Sequence, residues 1–274
     1  MSYFSNKSRV LVNVIGIPSI LAIIYFGDDF SFLPLFSMFV FSVALIAIYE
    51  WNKLANIKSS IIRAINFITV SISLIIFYNQ YSFEFILLAI ILHTFAAIIS
   101  EIFKSYSSPI NDISLSVLGV VWIGLFIGSL ILVRNLDAGL SLTFMMILSI
   151  WICDTFAFVF GGSYGKRKMA PSISPNKTWF GTFAGFLGSF IPPIVVCYYF
   201  PISGFSILDY VLFSLIFGVL GQLGDLSISL LKRQANIKDT SNILKGHGGI
   251  LDRFDSLAFA SPIFYIVLYF RNLI

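Results

Sequence analysis

Apolar runs long enough to cross a bilayer recur along this chain, and no other feature constrains its fold as tightly. A helix needs roughly 20 mostly apolar residues to span a hydrocarbon core of about 30 Å. Nine stretches meet or approach that length: residues 10–26, 30–49, 61–78, 83–99, 113–133, 140–160, 178–200, 207–224 and 254–270. The fold class expected is an all-α integral membrane protein with about nine transmembrane helices. Only Tyr25-Phe26-Gly27-Asp28 follows the first run, with no small-x-small cleavage site, so that run is expected to be a retained span.

Composition agrees. Only 11% of the 274 residues are charged and 58% are hydrophobic, whereas a soluble domain carries about 25% charged residues to wet its surface. That excludes an ordinary soluble domain, a nucleic-acid binder and a disordered chain. Cys153 and Cys197 sit in apolar runs without metal-ligand neighbours, which argues against a disulfide scaffold or a zinc site.

Basic residues give the chain an orientation. With the N-terminus in the cytoplasm, Lys7, Arg9, Lys53, Lys58, Arg63 and Lys104 fall on the cytoplasmic side, as do nine more from Lys166 to Arg253. Fifteen of the seventeen then share one side, leaving Arg134 and Arg271 outside. Cytoplasmic loops carry the excess of Lys and Arg, so the N-terminus is expected inside and the C-terminus outside. The formal charge of +4 is read the same way, as loop charge that sets orientation.

Residues 1–112 are expected to form an N-terminal group of about four spans, and 113–274 a C-terminal catalytic region. Two loops of that region, 161–177 and 225–253, are long, polar and cytoplasmic in this topology. Long loops are usually functional or disordered, and recurring apolar residues argue against disorder here. No convincing internal repeat is visible, which disfavours a transporter built from repeats.

The densest chemistry starts where the eighth run ends. If its helix continues, Asp225, Ser229, Lys232 and Arg233 fall at i, i+4, i+7 and i+8 on one face. A carboxylate, a hydroxyl and two cations on one stripe suit a metal held against phosphates; a solvated face with an i,i+7 ion pair is the plainer alternative. Lys238-Asp239 follows, then Gly246-His247-Gly248-Gly249, then Asp252-Arg253-Phe254-Asp255. Glycines around His247 let backbone N–H groups approach an anion, although His247 serves equally well as a loop brace. Mg²⁺ in nucleotide sites takes one or two carboxylates plus substrate phosphates. Asp225 and Asp252 are the pair offered for it, with a second cation left open.

The other long loop follows Asp154, which lies inside the sixth run. A carboxylate at the bilayer centre costs roughly 2.5–3.5 kcal/mol, so Asp154 is expected to turn toward the protein interior. The stretch Gly161-Gly162-Ser163-Tyr164-Gly165-Lys166-Arg167-Lys168 reads as a Gly-rich basic cradle for a triphosphate, without Walker spacing. Candidate substrate-binding residues are Asp154, Lys166, Ser174, Lys177, Gly248 and Gly249. His93, Glu84 and Glu101 lack partners at informative spacing and are expected to be structural or interfacial. Asp209, at the outer end of its span, is expected to tolerate substitution.

Taken together, Ser229-x-x-Lys232-Arg233, Lys238-Asp239 and His247-Gly248-Gly249-x-x-Asp252-Arg253-x-Asp255 resemble the signature of phosphatidate cytidylyltransferases (CDP-diacylglycerol synthases). Ser174-Pro175-Asn176-Lys177-Thr178-Trp179 resembles a second stretch typical of that family. The resemblance covers residues 154–255; the N-terminal spans match only in hydropathy and length. Lys245 stands where the family usually has Pro, and Phe180 where it usually has Glu.

The resemblance implies condensation of CTP with phosphatidate, giving CDP-diacylglycerol and pyrophosphate, with Mg²⁺ as cofactor. It implies a multi-pass enzyme of the cell membrane (the inner one where there are two), working among membrane lipids at the cytoplasmic face, without nucleic acid; a homodimer is compatible with it. Asp225 and Asp252 would hold the metal, while Ser229, Lys232, Arg233, Lys238, Asp239, His247, Arg253 and Asp255 would carry the chemistry. A phosphomonoester has a second pKa of about 6, so its oxygen needs no strong base. The task is to bring two polyanions together and stabilise the leaving pyrophosphate. Two rival readings fit the same residues. A membrane CTP-dependent polyprenol or phytol kinase would release CDP instead, and a cation-coupled transporter would leave the His247-Gly248-Gly249 run unexplained.

Overall fold

The computed structural model describes residues 12–27, 34–103, 108–244 and 248–271. Lys7, Arg9, Lys104, Lys245 and His247 lie outside the described residues, and so do the readings that rest on them. Among the described residues eight helical stretches are long and apolar enough to cross a membrane. They are α2 (Leu35–Leu54), α3 (Ser60–Tyr78), α4 (Phe83–Ile102), α5 (Pro109–Arg134), α6 (Gly139–Tyr164), the pair α7 (Trp179–Gly188) and α8 (Ile191–Tyr199), α9 (Ile207–Gln234) and α10 (Leu251–Phe270). The first expected span is represented by α1 (Ile17–Phe26), part of an apolar helix, Val14–Phe26, that is shorter than a full crossing. This is an all-α membrane protein. Its one small sheet among the described residues is a hairpin of β1 (Lys168–Ala170) and β2 (Ser174–Thr178). In lipid each helix satisfies its own backbone, which is why apolar runs of this length become helices.

Two of the long helices carry π-helical turns, Val120–Ile127 in α5 and Ile216–Leu220 in α9. The seventh expected span is divided in two. The chain turns at Ser189-Phe190, and Pro192 and Pro193 fall in the first turn of α8, where a missing N–H leaves no helical bond unmade.

The chain forms two compact units. The first comprises Met1–Leu132 and Asp239–Arg253, the second Val133–Lys238 and Phe254–Ile274. This division differs from a cut at residue 112: the loop that begins at Asp239 belongs with the N-terminal helices. The first unit is tied by polar contacts between helices. Trp51 Nε1 donates to the Leu115 carbonyl at 2.8 Å, and Asn66 Nδ2 donates to Asn52 Oδ1 at 2.7 Å. His93, as expected, is structural: it is buried between Thr69 Oγ1 and Ser116 Oγ, each 3.0 Å away. In the second unit Phe264 of α10 packs edge-on against Phe213 and Phe217 of α9, with centroids 4.9 and 4.8 Å apart.

Candidate active site

Within the second unit the polar face is built on α9. The helix runs past Gly224 to Gln234, as the spacing from Asp225 to Lys232 requires. At Gly224 a Cβ would collide with the Asp255 carbonyl, so only glycine lets α9 approach α10 this closely. Ser229 Oγ donates to Asp225 Oδ1 at 3.3 Å. Lys177, reaching in from β2, places Nζ 2.8 Å from Asp225 Oδ2 and 3.5 Å from the Gln222 carbonyl. Ser229 and Lys232 are buried, and Asp255 is buried with Asp225, Asp154 and Lys232 within electrostatic reach.

The i+8 member of the stripe goes elsewhere. At about 100° per residue, Arg233 lies about 80° round the helix from Asp225, against about 20° for Lys232. Its Nε donates to the Ile173 carbonyl at 3.0 Å and its Nη1 to the Ile237 carbonyl at 3.5 Å, so it braces the hairpin turn and the end of α9. Lys238 is exposed beyond that end.

The expected Gly-rich cradle takes a different form. α6 continues through Gly161-Gly162-Ser163-Tyr164, and the loop that follows is the antiparallel hairpin, with Lys168 opposite Thr178 and Ala170 opposite Ser174. Gly161 serves helix packing, since a Cβ there would lie 3.1 Å from the Gly181 Cα of α7. Thr178 caps α7 by accepting from Gly181 N at 3.1 Å. Ser174 is half-buried in β2, while Lys166 is exposed between α6 and β1. Phe180 is exposed and contacts the Tyr164 ring at 5.8 Å. Asp154, expected to turn inward, is exposed: it opens onto accessible space within electrostatic reach of Asp255 instead of being packed away.

The first unit holds a second constellation, around Asp252 in the first turn of α10. Two backbone donors converge on its Oδ2, Thr240 N at 2.9 Å and Gly249 N at 3.0 Å, and the Thr240 hydroxyl oxygen lies 3.0 Å from it. Gly248 has φ +76°, and a Cβ there would stand 2.8 Å from the same oxygen. Leu244 N donates to its carbonyl at 3.1 Å, closing the loop. The anion that Gly248 and Gly249 approach is therefore the protein's own carboxylate. Asp239 and Arg253 are exposed.

Sequence reasoning passed over the residue behind this loop. Glu50, near the end of α2, is fully buried. Its Oε1 accepts from Ser241 Oγ at 2.5 Å and Ile250 N at 3.0 Å, and its Oε2 from Thr240 Oγ1 at 3.0 Å and Leu251 N at 2.8 Å. Lys53, one turn on, does not pair with it: its Nζ lies over the Tyr49 ring, 4.3 Å from the centroid.

Among the described residues, no three Asp, Glu, His or Cys side chains gather closely enough to enclose an ion by themselves. Asp225 and, separately, Asp252 each present hard carboxylate oxygens. Either by itself fits Mg²⁺ chemically, since that ion takes as few as one carboxylate and completes its shell with water and substrate phosphates.

Comparison with known proteins adds an independent line. The model of the cytidylyltransferase family matches residues 7–271. The phosphatidate cytidylyltransferase of Bacillus subtilis (strain 168) is 33% identical over 277 residues, covering 96% of this chain and 97% of its own length. A protein of the same name from Staphylococcus epidermidis is 32% identical over 266 residues, covering 96% and 98%. Another from Staphylococcus aureus is 39% identical over 159 residues, covering 57% and 59%.

Proposed function

The chain belongs to the cytidylyltransferase family, and on that premise we propose that it transfers the cytidylyl group of CTP to phosphatidate, giving CDP-diacylglycerol and pyrophosphate. Similarity over nearly the whole length to relatives named for this activity supports the reading. The observation that carries it within the molecule is the cluster on α9. There Asp225 is held by Lys177 and Ser229, next to the buried Lys232 and Asp255. Cations and a hydroxyl around a carboxylate are what two phosphate-bearing substrates need.

In the reaction a phosphate oxygen of phosphatidate bonds to the α-phosphorus of CTP, and the bond from that phosphorus to the α,β-bridging oxygen breaks. The nucleophile is already largely ionised near neutral pH, because the second pKa of a phosphomonoester is about 6. Lys177 and Lys232 lower the repulsion between the polyanions, and Ser229 offers a hydroxyl to a phosphate oxygen. Asp225 and Asp252, each in its own unit, are the candidate Mg²⁺ ligands, and Mg²⁺ when bound supplies charge neutralisation on the triphosphate. We place the enzyme in the cell membrane with its loops on the cytoplasmic side, where CTP is dissolved and phosphatidate presents its headgroup.

The test is incubation of the purified protein with cytidine-labelled CTP, phosphatidate in vesicles and Mg²⁺. Label entering the lipid with release of pyrophosphate is the expected result. Release of CDP alongside a phosphorylated polyprenol would establish a lipid kinase instead.

A further inference from the structure

We infer that Glu50 is a positioning residue for Asp252, and that holding the loop between Asp239 and α10 is a task of the N-terminal helices. The inference rests on the cytidylyltransferase reading, in which Asp252 is a metal ligand. Glu50 joins α2 to a segment about 200 residues later, through four donors that fill both carboxylate oxygens. Two of the donors, Ile250 N and Leu251 N, lie at the start of α10, where a helix leaves its first N–H groups without partners. A carboxylate from a distant helix thus caps the helix that carries Asp252.

The link to Asp252 is short. The Thr240 hydroxyl lies 3.0 Å from Glu50 Oε2 and 3.0 Å from Asp252 Oδ2, so its single proton is shared between the two carboxylates and one side chain bridges them. Gly249 supplies a second connection: its N–H donates to Asp252 Oδ2, while its Cα packs so closely on Glu50 that a Cβ would come within 2.6 Å of both carboxylate oxygens. Displacing the Glu50 carboxylate therefore moves Thr240 and Gly249, which supply both backbone donors to Asp252 Oδ2 and the shared hydroxyl beside it.

Glutamine cannot substitute. Whichever way its amide turns, the NH₂ faces a backbone N–H, of Ile250 or of Leu251, and two donors oppose each other. Glu50→Gln should weaken Mn²⁺ binding to the full-length protein, read by electron paramagnetic resonance without substrates, by about 10- to 100-fold. Turnover of CTP at fixed Mg²⁺ should fall over the same range. Thr240→Val keeps the shape, removes only the bridging hydroxyl and carries the test if Glu50→Gln does not accumulate. It should weaken Mn²⁺ binding in the same direction, toward the lower end of that range of about 10- to 100-fold, as the loss of one such partner. The double variant should lose clearly less than the sum of the two single effects, because the two share the Thr240 link.

A merely structural role predicts something else: less folded protein, but wild-type Mn²⁺ affinity and turnover in the folded fraction, and additive effects in the double variant. Either result overturns the inference. If wild-type protein fails to make CDP-diacylglycerol, the functional reading falls, while the Mn²⁺ titrations still decide whether Glu50 positions Asp252.

Discussion

Asp225→Asn separates the chemistry of α9 from its stability. The carboxylate pairs with Lys177 at 2.8 Å, but the two side chains are 36% and 23% exposed. An ion pair that water can reach contributes about 0.2–1 kcal/mol. Asparagine retains the shape and an acceptor for the Ser229 hydroxyl, so the folded state should lose no more than about 1 kcal/mol. The unfolding midpoint should then move by only a few degrees. Activity should respond on another scale. A metal ion contributes several kcal/mol to the transition state, and about 4 kcal/mol at about 1.36 kcal/mol per decade is a thousandfold loss. The assay is pyrophosphate release by purified variants at saturating CTP, phosphatidate and Mg²⁺, with thermal unfolding followed on the same preparations. Asp137→Asn, an exposed carboxylate in the turn between α5 and α6, is the matched control and should behave as wild type. Retention of more than about a tenth of wild-type turnover, roughly 1.4 kcal/mol, would refute a required metal ligand at Asp225. A turnover loss that merely tracks lost folded protein would make the Lys177 pair structural.

Two further outcomes test the architecture. Asp209 is only 2% exposed; it caps α9 through Ser206 N at 2.8 Å and Ser206 Oγ at 2.7 Å, and meets Arg271 at 2.7 Å. Contrary to the tolerance expected from its position in the span, Asp209→Asn should cost about 1–3 kcal/mol of stability, seen as a lower unfolding midpoint, with the folded fraction keeping its turnover. For orientation, single cysteines at Ser163 and Asn242, both exposed, in a chain lacking Cys153 and Cys197, should react with an impermeant thiol reagent only from the cytoplasmic side. Labelling of either from outside would reverse the topology; Ser241 is a poor probe because its hydroxyl donates to Glu50.

The helices and the polar face of α9 were legible along the chain because both depend on near neighbours. An apolar run must become a helix in lipid, and Asp225, Ser229 and Lys232 share a face by helical periodicity alone. The loop glycines Gly248 and Gly249 were also visible as residues, although the anion they approach was not, nor was the close helix approach at Gly224. What only the tertiary structure decided are the partners: Lys177 for Asp225, Arg271 for Asp209, and Glu50 for a loop that begins 190 residues later. The same holds for Gly161, which looked like part of a phosphate cradle and instead lets α6 meet α7. Lipid is as apolar as the helix surfaces it bathes, so hydrophobic patterning alone does not say which faces meet. That choice falls to small residues and to a few polar side chains that must find partners away from water, and their partners lie far off in sequence.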